Sequence, residues 1–424
     1  MVETQQISLF AASRRDIGLS WGFILLLVIN FTTGISVGQY EPALFSIIAL
    51  GILLAPVIRL VNPTMVPPWY LTGVVSLSVL SQTIAPDLFA TELLPSIALA
   101  TLSLLFIIQL HDITSLSLVP WFAVVLTTLF SMAMGALVQI TQWTLDQLVG
   151  TSFLLDGRSQ DTLNTVVMLE LMQITGAGIV AGLCFYAAFK RELISLESCE
   201  SPITDPVPEE KAILSYRLGI SQRRQQQIVR LMRVILVGIL IYGLWQLDLA
   251  VITNATIALA VTYIPRILRR NFRLSVDPGI ALWVTAAVFF HTLGTLALYD
   301  GITRWDWLTH SLSASVVAAA GYAALRSIHL YDDRIHLPPW GLFVFTIIFV
   351  LAMGVVWEIM EFFADQGALI LGLDPVLAQY GVDDTIVDMI FNVVGAIITA
   401  FWGTAYLTVF SDSLAKRIEE WNSP

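Results

Sequence analysis

The sequence predicts an all-α polytopic transmembrane bundle of about twelve spans, arranged as two parallel six-helix repeats. Three observations carry that expectation. Of 424 residues, 57% are hydrophobic and only 12% charged, against roughly 25% charged in a soluble domain. Apolar stretches close to the roughly 20 residues that cross a bilayer recur along the whole chain. The second half also repeats a pattern of polar and proline positions found in the first. Such a composition excludes a soluble enzyme, a disordered regulator and a nucleic-acid binder with a basic face. Two cysteines, Cys184 and Cys199, are too few for a disulfide framework or a thiolate metal cluster. The 32 acids face 18 arginines and only 3 lysines. An acidic, lysine-poor surface suits a halophilic setting, and GC-rich coding produces the same bias.

In order, the first six spans are expected at roughly 17–37, 41–60, 69–86, 93–110, 119–142 and 162–189. The second six fall at roughly 230–251, 253–268, 279–299, 307–328, 339–364 and 384–410. The shortest, 253–268, has Pro265 and four arginines crowding its end. Arg14 and Arg15 precede a full-length apolar stretch without a small-residue cleavage site, so the first span reads as retained. Between the sixth and seventh spans, ESCESPITDPVPEE is acidic and proline-rich and reads as an unstructured linker. The following SQRRQQQIVRLMR reads either as a basic helix on the inner leaflet or, preferably, as a solvated helix leading into the seventh span.

Positive charge orients the bundle. With the N-terminus in the cytoplasm and twelve spans, 19 Lys and Arg fall inside and two, Arg158 and Arg304, fall outside. Both termini are then cytoplasmic, in a multi-pass protein of the cell membrane.

Self-similarity sets the internal organisation. MAMGALVQITQWTLDQ from Met132 aligns with LAMGVVWEIMEFFADQ from Leu351 at an offset of 219, matching Gly135 to Gly354 and Asp146 to Asp365. The same offset pairs Pro120-Trp121 with Pro339-Trp340 and Asp87 with Asp306. After a four-residue slip, Asp161-Thr162 matches Asp384-Thr385, and upstream Pro56 answers Pro265. This reads as a tandem duplication: a six-span repeat over 1–189, a cytoplasmic linker over 190–229 and a second repeat over 230–424. Six spans is an even number, so the repeats share one orientation. Several ionisable residues occur in the second copy alone. Glu358 and Glu361 correspond to Gln139 and Gln142, Asp388 to Thr165, Asn392 to Leu169 and His310 to Thr91.

An ionisable side chain at mid-span costs about 2.5–3.5 kcal/mol on insertion scales, so several together require an explanation. Glu358, Glu361 and Asp365 lie at i, i+3 and i+7 on one helix face. Asp384, Asp388 and Asn392 recur every fourth residue on the next span, followed by Gly395. Asp306 and His310 are spaced i, i+4, and His291 lies in FFHTLG of the ninth span. The direction of each span through the membrane predicts that all converge on one polar pocket in the outer half of the bilayer, with His291 slightly deeper. Each has a plainer reading: Asp384 and Asp365 as helix-end caps, His291 as a hydrogen-bonded core residue, Asp306 as an interfacial neighbour of Trp305 and Trp307. Glu358 with Glu361 has no comparable structural role. Trp69, Trp121, Trp340 and Trp402 read as ordinary interfacial aromatics.

The candidate catalytic residues are Glu358, Glu361, His310 and Asp388, and the candidate binding residues are Asp306, Asp365, Asp384, Asn392 and His291. Carboxylates with an imidazole can hold Mg²⁺, Mn²⁺, Ca²⁺ or Zn²⁺. They can equally share a proton, so a divalent-cation cofactor stays an open expectation. No phosphate-binding loop, nucleophile elbow or dinucleotide fingerprint accompanies them.

Three ordered motifs, Asp306-x-x-x-His310, Glu358-x-x-Glu361 and Asp384-x-x-x-Asp388-x-x-x-Asn392-x-x-Gly395, make the second half resemble the VanZ-like and YjdF-like membrane proteins. PRILRRNFRLSVDP followed by FFHTLG adds to the YjdF-like likeness. It covers about 230–410, with a degenerate copy over about 17–189. The resemblance implies small multi-pass proteins, one branch of which is associated with glycopeptide resistance. It supports the polar residues and supplies no substrate.

Three functions compete: a membrane enzyme acting on a lipid or lipid-linked headgroup at the outer leaflet, a proton- or cation-coupled transporter, and a non-catalytic membrane scaffold. In the first, Glu358 or Glu361 is the general base, His310 an acid or ligand and Asp388 a metal or proton partner. The expected partners are the lipid bilayer and that lipid substrate, with no nucleic acid.

Overall fold

A computed structural model describes residues 13–84, 93–113, 120–194, 220–299, 302, 304–331, 339–377 and 379–422. The expected acidic linker segment, Cys199, Asp87 and Thr91 lie outside them. All described regular structure is helical. The helices are α1 (Arg14–Val37), α2 (Tyr40–Leu60), α3 (Trp69–Ile84), α4 (Leu94–Ile113), α5 (Pro120–Val149) and α6 (Gln160–Ile194). They continue with α7 (Gln222–Gln246), α8 (Leu249–Asn271), α9 (Pro278–Leu293), α10 (Trp305–Tyr331), α11 (Pro339–Ile370), α12 (Val382–Tyr406) and α13 (Thr408–Asn422). A helix stands at every position where the sequence predicts a span.

Among the described residues, ten helices are long and apolar enough to cross a membrane. The exceptions among the twelve are α3, with 16 residues, and α4, whose apolar run is shorter. Large apolar side chains such as Leu25, Ile58, Ile241, Trp245 and Phe401 are exposed on these helices. Lipid tails satisfy such surfaces, and a helix closes its own backbone hydrogen bonds, which is what hydrocarbon demands. The protein is a polytopic helical membrane protein.

Three boundaries can be set against expectation. α8 covers 23 residues, Leu249–Asn271, and so extends beyond the expected 253–268 at both ends, with Pro265 inside it. Proline is tolerated inside membrane helices where neighbours attend to the backbone. Here Arg233 donates to the Thr262 carbonyl and lies 4.4 Å from the Tyr263 ring centroid. Second, the basic run 222–233 is continuous with the apolar part of α7, in agreement with the preferred reading, and is capped by the Ser221 hydroxyl. Third, the last span ends at Tyr406, and the charged α13 follows as a separate helix.

The chain divides into two compact units: Met1–Val138, Leu145–Phe153 and Leu169–Cys199 form one, and Gln139–Thr144, Leu154–Met168 and Glu200–Pro424 form the other. In the first, Ile24, Leu27, Ala49, Leu53, Val75, Leu102 and Leu105 build a core among α1 to α4. Asn30 Nδ2 donates to Ser46 Oγ at 3.0 Å, and Ser76 Oγ to the Phe23 carbonyl at 3.1 Å. α1 packs on α2 and α3, and α3 on α4; in the second unit α7 packs on α8 and α9, and α9 on α10.

Within the second unit, α10 is the hub, packing on α9, α11, α12 and α13. Its buried face is made of small residues, Ala314, Ser315, Ala318, Ala319 and Gly321. In lipid, where apolar burial between helices gains little, close backbone approach and interhelical hydrogen bonds supply the association. Gly395 of α12 sits directly against the Ser311 carbonyl, and Phe349 of α11 covers Gly321. Thr399 Oγ1 donates to the Ser315 carbonyl at 3.0 Å.

Gly395→Leu is therefore expected to force α10 and α12 apart, with an overpacking cost on the order of 1–3 kcal/mol or more. Gly238→Ala in α7, where a Cβ meets nothing within 4 Å, should leave stability equal or higher. Thermal unfolding in detergent checks both, and equal melting temperatures for the two variants contradict the close crossing.

Candidate functional site

Three helix ends meet in the second unit: the start of α10, the last third of α11 and the start of α12. Asp306 occupies the first turn of α10 and His310 the next, a spacing that puts both on one face. Asp388 stands one turn beyond Asp384 on α12. His310 Nε2 lies 3.4 Å from Asp306 Oδ1 and 3.5 Å from Asp388 Oδ2. One ligand atom from each of these three residues fits within 4.8 Å of the others. His310 and Asp388 are buried and Asp306 is half-buried.

The glutamates stand beside this trio. Glu358 is fully buried and Glu361 nearly so. Asp388 is within electrostatic reach of Glu358, Asp306 and Asp384, and Glu361 of Glu358, Asp384 and Asp365. Gln379 Nε2 donates to Glu358 Oε2 at 3.0 Å. Asn164 Nδ2 in turn donates to Gln379 Oε1 at 2.7 Å, while Asn164 Oδ1 accepts from Thr385 Oγ1 at 3.0 Å. Glu358 Oε1 and Asp388 Oδ1 are buried without a hydrogen-bond partner among the described residues. Among those residues no Lys or Arg forms an ion pair with Asp306, Asp388, Glu358 or Glu361. Arg304 lies over the Trp307 ring at 5.1 Å, and Arg158 pairs with Asp156 at 2.8 Å. In that loop, hydrogen bonding to Arg158 holds the Asp156 carboxyl below its ordinary range.

The structure gives Asp365 and Asp384 backbone partners. Asp365 accepts the N–H groups of Val376 and Leu377 at 2.8 Å and of Gln379 at 2.9 Å. Its counterpart in the first repeat, Asp146, accepts the Phe153 N–H at 2.8 Å and the Thr151 hydroxyl at 2.6 Å. In both halves this aspartate ties down the loop that follows its helix. Asp384 accepts the Tyr380 N–H at 3.0 Å, a helix-start contact.

His291 is held by Tyr299, whose hydroxyl is 2.9 Å from Nδ1. α9 ends in a π-helical turn over Gly294–Leu298, a distortion common beside functional sites. The turn folds the Tyr299 ring directly over Gly294, where any Cβ would collide. The ring centroids of His291 and His310 are 6.5 Å apart, and Trp357 stands 6.3 Å from His291.

A cavity of about 340 Å³ adjoins these residues, within the usual size range of small-molecule sites. Its walls come from α8, α9, α10, α11 and α12, all of the second unit. They are mostly Val, Ala, Ile and Met, with His291, His310 and Asn392 among the polar side chains, beside Asn254, Thr292 and Ser313. Ile257 and Met360 of its lining are exposed. Of the candidate residues, His291, His310 and Asn392 line the cavity. Asp306 and Asp388 touch it through His310, while Glu358, Glu361, Asp365 and Asp384 stand behind its wall. Sequence reasoning missed Tyr299, Trp357, Gln379 and Asn164. Tyr299 and Trp357 are close in sequence to the polar motifs, but Gln379 is in a loop and Asn164 lies over 200 positions away, so no helical spacing marks them.

These features define a multi-pass membrane protein with a polar centre in its C-terminal half. Residues 228–409 match the family described as "Predicted membrane protein (DUF2238)". A Thermotoga maritima protein named "Uncharacterized protein" is 28% identical over 116 residues, covering 27% of this chain and 56% of that protein. The chain thus spans little more than half the length of this relative. No solved structure matches the chain.

Asp365→Ala would leave three N–H groups of the 376–379 loop without their acceptor, at about 1–3 kcal/mol for each that stays buried. Hydrogen exchange over that loop is expected to quicken and the melting temperature to fall. Unchanged exchange there would show that Asp365 does not anchor the loop.

Proposed function

We propose that the C-terminal half is a membrane-embedded enzyme acting on a lipid or lipid-linked headgroup at the outer leaflet. The single observation that carries this reading is the cavity: largely apolar walls, exposed Ile257 and Met360 in its lining, and polar side chains that include His291, His310 and Asn392. An amphipathic substrate matches that division, its chain against Val and Ala and its headgroup against the histidines. The VanZ-like and YjdF-like resemblance belongs to the same reading. Orientation comes from charge: with 19 of 21 basic residues on the cytoplasmic side, the start of α10, the end of α11 and the start of α12 face the exterior.

The roles follow from position. The headgroup meets His310 and Asn392, with Asp306 and Asp388 behind the imidazole. Glu358 and Glu361 do not line the cavity; they are the proton-accepting carboxylates at one remove, Glu358 within electrostatic reach of Asp388 and Glu361 of Glu358, so the proton reaches them through Asp388. Gln379 and Asn164 are positioning residues that orient Glu358. Transport is the weaker reading, because transporters of this repeat type place their site between two contributing halves. Here the matching residues of the first repeat, Gln139, Gln142 and Thr165, cannot carry a carboxylate's charge or proton.

Lipid and glycolipid profiling of a deletion strain tests the proposal. Wild type is expected to restore the altered species, and Glu358→Gln and His310→Gln to leave them altered although present in the membrane at wild-type level. Glu358→Gln is nearly isosteric and introduces the residue that the first repeat already holds. Full rescue by Glu358→Gln removes that carboxylate from the chemistry. A deletion that changes no lipid or glycolipid overturns the substrate class.

A further inference from the structure

We infer that Asp306, His310 and Asp388 form a binding site for a single small divalent transition-metal ion of the zinc type. The argument rests first on distance. A charge-assisted hydrogen bond from an imidazole to a carboxylate spans about 2.7–2.9 Å, yet His310 Nε2 stands 3.4 Å and 3.5 Å from its two carboxylate oxygens. Neither distance is that of a strong direct hydrogen bond, and the nitrogen is almost equidistant from the two oxygens. Ligand atoms around a tetrahedral ion at about 2.0–2.2 Å are separated by roughly 3.3–3.6 Å. Both spacings to His310 Nε2 fall in that range, and the three ligand atoms all lie within 4.8 Å of one another.

A second observation is independent of those distances. Asp388 Oδ1 is buried with no hydrogen-bond partner among the described residues, although Asp388 as a whole is only 4% exposed. Burying an acceptor this way is costly, and no described Lys or Arg forms an ion pair with it. A cation held between the α10 pair and both oxygens of Asp388, Oδ2 at the spacing above and Oδ1 beside it, would satisfy Oδ1 and offset the two aspartates while His310 stays neutral. The donor set selects the ion: one imidazole and two carboxylates suit Zn²⁺ or Mn²⁺. Ca²⁺ needs about six to eight oxygens. Three protein ligands also leave a position for water or a substrate oxygen. Because His310 lines the cavity, that position is reachable from it.

The cation site does not depend on the lipid reading, so each can fail alone. The test uses the full chain without a histidine tag, purified in detergent and stripped with chelator. Zn²⁺ is titrated by calorimetry with Mg²⁺ and Ca²⁺ as comparison ions, and Mn²⁺ is followed by pulsed electron paramagnetic resonance. Wild type is expected to take up about one Zn²⁺ per chain and to show imidazole nitrogen coupled to bound Mn²⁺. Asp388→Asn and His310→Gln, shown folded by helical circular dichroism and elution profile, should each weaken Zn²⁺ binding by more than about tenfold. Folded wild type that binds neither Zn²⁺ nor Mn²⁺, or binds only Mg²⁺ or Ca²⁺, overturns the site. So does Zn²⁺ binding left intact by both variants, or bound Mn²⁺ without nitrogen coupling. If neither variant folds, wild-type stoichiometry and nitrogen coupling decide the matter by themselves.

Discussion

A carboxylate carried into a lipid-embedded bundle must be hydrogen-bonded, paired or neutralised, because the surrounding hydrocarbon offers it no water. This constraint organises the C-terminal half of the protein. Asp365 meets it with three backbone N–H groups of one loop, and Asp384 with the Tyr380 N–H. Glu358 meets it at one oxygen only, through Gln379 and, behind that, Asn164. Asp388 shares His310 with Asp306 and keeps one oxygen without a partner among the described residues. The acids thus sort themselves: those with backbone partners hold the fold, and those left incompletely partnered stand closest to the proposed chemistry.

The scaffold that permits this is built from close contacts between helices. In a membrane, helices gain little from burying apolar surface against one another, so small residues and interhelical hydrogen bonds take that part. Gly395 against Ser311, Gly354 beside Asn392 and Gly321 beneath Phe349 bring α10, α11 and α12 near enough for their polar faces to converge. The π-helical turn after α9 plays a comparable part on the other side of the cavity, since it delivers Tyr299 to His291.

The sequence repeat gives the constraint a built-in comparison. The aspartate that ties down the loop after its helix is present in both copies, as Asp146 and Asp365, with backbone partners each time. The aligned positions differ where Gln139 and Gln142 stand in the first half and Glu358 and Glu361 in the second. A glutamine keeps the shape and most hydrogen bonds of a glutamate at no ionisation cost, which lets one copy keep the architecture without the charge.

Much of this was legible in the chain. The spans followed from lengths of apolar sequence, because only a helix closes its own backbone hydrogen bonds in hydrocarbon. The polar faces followed from i, i+3 and i+4 spacing, because helical geometry is local. Proximity between elements is not local, and the tertiary structure alone decided it. It singled out Asp306, His310 and Asp388 as a trio, set Glu358 and Glu361 behind the cavity wall, and recruited Gln379 from a loop and Asn164 from the distant first half of the sequence. It also lengthened α8 beyond the expected 253–268 at both ends, to Leu249–Asn271. Periodicity reports which residues share a face, and only packing determines which faces meet.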